Sequence, residues 1–176
     1  MNLNSANTTE IELPLADRIL LRIKALTPTQ FEHFAPSLIK AIYDDKDEFV
    51  TTHNGKVGDG GVDAVLKVKK KIGSGYDKYL IQCKRYDTKS IGSPELNNFI
   101  GALVGNKEKN GIFITTSHFT KDAKSYIDGL SDHHIELIDG DNLVQKIIEH
   151  KLGIKEIPQQ PIFEIDEGFF GLFADK

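Results

Sequence analysis

With one cysteine, the chain cannot build an intramolecular disulfide framework, and a reducing, cytoplasmic setting is expected. It has no CxxC pair, its six histidines lack zinc spacing, and the adjacent His133 and His134 diverge, so no zinc site is read. The stretch Gly58-Asp59-Gly60-Gly61 is neither a phosphate-binding loop nor a dinucleotide fingerprint, so no nucleotide cofactor is indicated. No apolar run approaches the roughly 18–20 residues that span a bilayer. The opening MNLNSANTTE has neither the basic stretch nor the apolar core of a signal peptide. There is no internal repeat and no low-complexity block. Positive charge is not in excess either: 22 basic residues face 26 acidic ones, a net charge of −4, which is not the global signature of a nucleic-acid binder.

What is present fits a soluble globular chain, and 176 residues imply one domain with room for a core. Charge is unevenly spread. Between Val65 and Lys89 stand Lys67, Lys69, Lys70, Lys71, Lys78, Lys84, Arg85 and Lys89, against only Asp77 and Asp87. Lys69 to Lys71 read equally well as a solvated hairpin tip or as part of a basic surface. The same region holds the stretch around which the chain is organised. A glycine-rich turn leads to Asp63, a β-like run follows, and after a polar tip Tyr79 to Tyr86 alternates. Leu80, Gln82 and Lys84 share one strand face, while Ile81, Cys83 and Arg85 point the other way. If the two runs pair as a hairpin, Asp63 approaches Gln82 and Lys84. An acid, an amide oxygen and an ammonium then meet, a cluster suited to a divalent metal and a phosphodiester.

Periodicity and punctuation predict the rest. Ile11 to Leu26 reads as a short helix. Thr27-Pro28-Thr29-Gln30 opens another, with a capping box, proline in the first turn, and Phe31, Phe34, Leu38, Ile39 and Ile42 inward. Pro36 lies inside it and is expected to kink it or to leave the Glu32 carbonyl unbonded. Strands are expected at Phe49 to His53, Val62 to Val68, Lys78 to Tyr86, Gly111 to Thr116 and Ile135 to Ile138. Helices are expected from Ser93 to about Gly105, after Thr120, and after Asp139 or Asp141. This order predicts a mixed α/β sheet with helices on both faces. Three segments result: 1–26, 27–154, and the acidic, phenylalanine-rich 155–176. Pro158 and Pro161 predict an extended arm in the last. Its Phe163, Phe169, Phe170 and Phe173 either fold back on their own domain or dock on another chain, as a partner protein or a swapped second subunit.

Asp63 followed by Gln82-x-Lys84 across a β-turn-β resembles the Mrr-like restriction endonucleases. These are PD-(D/E)xK nucleases in a branch that writes Gln for the second acid. The resemblance runs from about Thr27 to about His150. It includes Phe31-Glu32 on the preceding helix, GDGGVDA, YLIQCKRY, GIFITTSHFTKDA and IELIDGDNLV. It implies a restriction-endonuclease-like mixed β-sheet core flanked by helices, and metal-dependent DNA cleavage in defence against foreign or modified DNA. Mg²⁺ is the implied cofactor, with Mn²⁺ as a substitute, held by Asp63, Gln82 and Glu32. Lys84 would orient or deprotonate the attacking water, or steady the charge on phosphorus. The expected DNA contacts are Lys84, Arg85, Lys89, Thr115, Thr116 and Ser117. A duplex break needs two active sites, so a homodimer or higher homo-oligomer is expected.

Other readings stand beside these. Asp59 and Asp63 are also ordinary turn residues after glycine, Glu32 an ordinary helix-surface acid, and the hydroxyls at 115–117 ordinary strand-end caps. Cys83 reads as a small core residue rather than a nucleophile. The same catalytic residues would serve a structure-specific repair nuclease or junction resolvase. A nuclease-fold DNA-binding or interaction subunit that does not cut is the alternative from another class.

Overall fold

The structure, a computed structural model, describes residues 13–43, 49–53, 61–70, 72–157 and 162–174, with 49–53 and 162 described by their backbone. Asp59 and Lys71 lie outside the described residues. Helix α1 spans Leu15–Lys24 and α2 spans Pro28–Tyr43. The predicted capping box forms between them. The Thr27 N–H donates to Gln30 Oε1 at 2.8 Å, and the Gln30 N–H donates to Thr27 Oγ1 at 3.2 Å. Pro36 sits inside α2 as expected.

Five strands follow: β1 (Phe49–His53), β2 (Ala64–Lys69), β3 (Tyr76–Lys84), β4 (Asn110–Thr115) and β5 (His134–Ile138). They form one mixed sheet in the order β1-β2-β3-β4-β5. The first three strands pair antiparallel, and β3, β4 and β5 pair parallel. Helix α3 (Ser93–Gly105) connects β3 to β4, and α4 (Lys121–Asp128) connects β4 to β5. Helix α5 (Gly140–Glu149) follows β5. Thr120 caps α4. Asp139, rather than Asp141, caps α5 by accepting from the Asn142 N–H at 3.1 Å.

Side-chain alternation assigns the two faces. Ala64, Leu66, Ile81, Cys83, Ile112 and Ile114 pack with α1, α2 and α5. Val65, Leu80 and Phe113 pack with α3 and α4. Coverage on both sides explains why β4 is continuously apolar rather than alternating. Strand direction then sorts the ends of the sheet. The start of β2, the ends of β3 and β4, and the N-termini of α3, α4 and α5 gather at one end. The β2–β3 tip stands at the other. The lysines at 67–70, next to Asp63 in sequence, are therefore carried away from it in space.

The last segment departs from the expected extended arm. It forms a hairpin, β6 (Ile154–Ile157) with β7 (Ile162–Ile165), and a short helix α6 (Glu167–Gly171) capped by Asp166. Phe170 and Phe173 are buried in the same cluster as α1 and α2. Phe34 is ringed by Phe31, Phe169, Phe170 and Phe173 at centroid distances of 6.2, 6.2, 5.9 and 6.0 Å. Each buried phenylalanine contributes about 1.5–3 kcal/mol, enough to fold the segment back on its own chain. An Arg22–Glu167 ion pair at 2.9 Å and a Gln30 Nε2–H bond to the Ala174 carbonyl at 2.7 Å hold it there. No helix among the described residues is long and apolar enough to cross a membrane.

Candidate active site

Asp63 lies one residue before β2. Its N–H donates to the Ile81 carbonyl at 2.9 Å, and its Oδ2 accepts from the Cys83 N–H at 2.7 Å. Ala64 pairs with Ile81, so one further step of the register sets Asp63 opposite Gln82. The sequence-predicted meeting of acid and amide is thus built by ordinary hairpin pairing, with the carboxylate fixed by a strand amide.

Gln82 is 4% exposed, and its Oε1 is a buried acceptor with no hydrogen-bond partner among the described residues. Such an orphan costs about 1–3 kcal/mol unless something outside the chain satisfies it. Its Nε2 lies 2.4 Å from where a Cβ on Gly61 would stand, and Gly61 has φ +87°. Glycine is required there twice, for the backbone and for the space. Among the described residues no three His, Cys, Asp or Glu side chains converge on one point. A metal here would rest on the Asp63 carboxylate, the Gln82 amide oxygen, water and phosphate. Those are hard oxygen donors of the kind Mg²⁺ takes, and the unsatisfied Gln82 oxygen fits such an ion.

Lys84 closes β3, on the same face as Gln82 and opposite Thr115. Glu32 is half-buried on α2, which packs on the opposite face, that of Cys83. The Cys83 thiol senses the whole group. Burial pushes its pKa well up, the charges of Asp63 and Glu32 push the same way, and Lys84 pulls against them. Cys83 is fully enclosed and protonated, in keeping with a packing role.

The residues after Lys84 are held on every side. The Lys84 carbonyl accepts from Thr115 Oγ1 at 2.7 Å and from the Thr116 N–H at 3.4 Å. Thr116 Oγ1 accepts from the Tyr86 N–H at 2.9 Å and donates to the Tyr86 carbonyl at 2.7 Å. Thr115 Oγ1 also accepts from the Ser117 N–H at 3.2 Å. The protons of both threonine hydroxyls are therefore committed to backbone carbonyls at the end of β3 and just beyond it, and the two residues tie that end to the end of β4. Ser117 Oγ reaches His118 Nδ1 at 3.4 Å.

Arg85 turns toward α1. Its Nε donates to the Lys24 carbonyl at 3.0 Å, Nη2 makes a short bond to the same oxygen, and Nη1 meets Asp87 Oδ2 at 3.1 Å. Lys24 Nζ completes the ring by donating to the Asp87 carbonyl at 2.8 Å. A guanidinium on the last carbonyls of a helix is also well placed for the helix dipole. Lys89 is exposed, paired with Glu95 at 2.8 Å and set 4.9 Å from the Tyr86 ring centre. The hydrogen bond with Glu95 raises the Lys89 pKa and lowers that of Glu95. Sequence reasoning missed the roles of Gly61 and Lys24. The first had a signal, a glycine two positions before the acid; the second, far away in the chain, had none.

Residues 23–147 match the family model described as Mrr_cat, restriction endonuclease. The chain is 33% identical over 145 residues to the type IV methyl-directed restriction enzyme EcoKMrr of Escherichia coli strain K12, covering 82% of this chain and 46% of that protein. It thus spans about half the length of that relative. Two solved structures are similar in fold. The DNA modification-dependent restriction endonuclease AspBHI aligns at TM-score 0.64 and 16% identity, over 85% of this chain and 39% of its own. The MspJI restriction endonuclease, in complex with a 27-mer oligonucleotide, aligns at 0.61 and 16% identity, over 92% and 35%. The sheet order, the helices on both faces and the sequence match over 23–147 agree: this chain belongs to the Mrr_cat restriction endonuclease family.

Proposed function

We propose that this chain is a Mg²⁺-dependent DNA endonuclease domain of restriction type, acting on foreign or modified DNA in the cytoplasm. The observation that carries the reading is the orphaned, buried Gln82 oxygen beside the Asp63 carboxylate. Asp63 and Gln82 would hold the ion, with Glu32 adding negative charge from α2. Bound there, Mg²⁺ would offset phosphate charge and acidify water. The strand amide of Cys83 keeps the Asp63 carboxylate aimed. Lys84 holds the attacking water, or the developing charge on phosphate, by its ammonium. A neutral Gln ligand leaves the site one charge short of a two-acid site, so weak metal affinity is expected, and Mn²⁺ should substitute. Modified DNA is the proposed substrate class because both the sequence relative and a structural neighbour are named for it. Two copies would be needed to break both strands.

The test incubates methylated and unmethylated supercoiled plasmid with Mg²⁺, Mn²⁺ or chelator. Cleavage should require metal. Asp63→Asn keeps an acceptor for the Cys83 amide but removes the charge. It and Lys84→Ala should each lower the rate by about 10²–10⁴-fold with little change in Tm. Wild-type cleavage by either variant, or no cleavage of any plasmid by the wild-type protein, would sink the reading.

A further inference from the structure

At the far end of the β2–β3 hairpin lies a groove of about 580 Å³ where Lys67, Lys78, Lys107 and Lys109 meet Tyr76 and the two acids Asp77 and Glu108. Two placements around it run against local preference. Lys67 and Lys78 stand directly opposite each other on neighbouring strands, and like charges so placed destabilise a sheet. Lys107 has φ +58° just past the α3 cap residue Asn106, a position where glycine is usual because other side chains are strained. The two acids are taken up by Lys78, which meets Glu108 at 2.9 Å, and by Lys70, which lies 4.0 Å from Asp77. Among the described residues, Lys67, Lys107 and Lys109 form no ion pair. Departures from local rules that gather at one place mark sites kept for something other than folding.

The active-site end makes a contrast. Arg85 and Lys24 are absorbed in their ring with Asp87, Lys89 is paired with Glu95, and Lys124 with Asp139 at 3.3 Å. A DNA-cutting domain of net charge −4 must still find cations for a duplex. Alternation puts Lys67 and Lys78 on the same hairpin face as Asp63 and Gln82, about 13 Å further along the strands, with the buried Val65–Leu80 pair beneath α3 between them. That is about four base pairs of duplex.

We propose that this groove is a second DNA-backbone contact, an exosite that grips phosphates a few base pairs from the one being cut. The proposal rests on the endonuclease reading and names a further substrate contact for it. Tyr76, 49% exposed, adds an aromatic surface beside the lysines.

The experiment measures binding of a fluorescent 30-base-pair duplex in chelator across a salt series, then steady-state cleavage with Mg²⁺. In Lys67→Gln/Lys109→Gln the salt slope should fall by up to about 1.8, or 0.9 per lost contact. KM should rise several-fold with kcat held within about twofold. Lys107→Gly should weaken binding while raising Tm, because glycine relieves the left-handed backbone. A merely structural Lys107 would give the rise in Tm without the loss of binding. Lys40→Gln, an exposed lysine outside the groove, should leave the slope unchanged. A wild-type protein that cuts DNA, with groove variants of unchanged slope and affinity, would overturn the exosite alone. So would a Lys40→Gln effect as large as theirs. A wild-type protein that neither binds nor cuts would overturn the endonuclease reading with it.

Discussion

The two ends of the β2–β3 hairpin are made of the same strands and solve opposite problems. At the Asp63–Gln82 end, side chains are buried and the backbone is held from several sides. The Asp63 carboxylate is fixed by a strand amide, both threonine hydroxyls are committed, and one oxygen is left over. At the Lys67–Lys78 end, like charges face each other, and among the described residues Lys67, Lys107 and Lys109 form no ion pair, although Lys78 meets Glu108. Chemistry gains from groups that need no reorganisation when charge develops. Capture of a long polyanion gains from mobile cations, which tolerate any sequence and act at a distance. On the endonuclease reading, a chain of negative net charge can engage DNA provided its positive charge is placed rather than abundant.

Two glycines with the same backbone separate the two ends. Gly61 and Gly73 both have φ +87°, but a Cβ at Gly61 would meet Gln82 Nε2 at 2.4 Å, whereas one at Gly73 meets nothing within 4 Å. Gly73→Ala, at the tip, should cost only the backbone strain, about 1 kcal/mol. Gly61→Ala should add a clash worth about 1–3 kcal/mol and displace the Gln82 amide. Cleavage should fall by about 10²-fold, the effect of a misplaced catalytic group. Chemical denaturation and plasmid cleavage measure both. Equal losses in the two variants would mean the Gln82 end is no tighter than the tip.

A second comparison concerns Arg85, whose bonds run to Lys24 and Asp87 rather than outward. Arg85→Ala should lower stability by about 1–3 kcal/mol, since it strips the Lys24 carbonyl and Asp87 of partners. It should lower kcat more than it raises KM, because the strand end carrying Lys84 is loosened. Arg85→Lys, unable to fork, should recover little. The salt slope of DNA binding should not change. A slope lower by about 0.9 would identify Arg85 as a phosphate contact after all.

Much of this was legible in the chain, and the reasons are local. The Thr27 capping box, the Thr120 cap and the continuous apolar run of β4 each follow from a few neighbouring residues. The meeting of Asp63 with Gln82 follows from period-two alternation and a short hairpin. Alternation also put Arg85 on the face opposite Gln82, but nothing nearby in sequence could name the Lys24 carbonyl as its target. The lysines at 67–70 looked like neighbours of the site because they are neighbours in sequence, yet an antiparallel hairpin sends its tip away. The final segment was harder still. Its prolines and charges read as an arm, and only the tertiary demand of Phe34 for ring partners draws Phe170 and Phe173 into the core.

Cys83 reports how dry the Asp63–Gln82 end is. Cys83 is enclosed between Asp63, Glu32 and the core, and burial raises its thiol pKa well above the usual value. In the unfolded chain a thiol titrates near about 8.5. Above that pH the unfolded state releases a proton that the folded state keeps, so the folded state binds more protons and stability falls as pH rises. The contribution is therefore fully present below about 8.5 and is lost progressively above it. The loss is on the order of 1 kcal/mol by about pH 9 and grows as pH rises further. Cys83→Ala removes the titrating group. Its stability should differ from wild type by a constant packing offset below pH 8 and by a shrinking amount between pH 8.5 and 10. Tyr43, pushed up to about 12 by burial and by Glu136, and Tyr79, raised mainly by burial, titrate in both proteins and cancel in the difference. Urea unfolding at pH 7, 8, 9 and 9.5 measures it. A difference that stays constant across that range would mean water reaches Cys83, and with it the floor beneath Asp63 and Gln82.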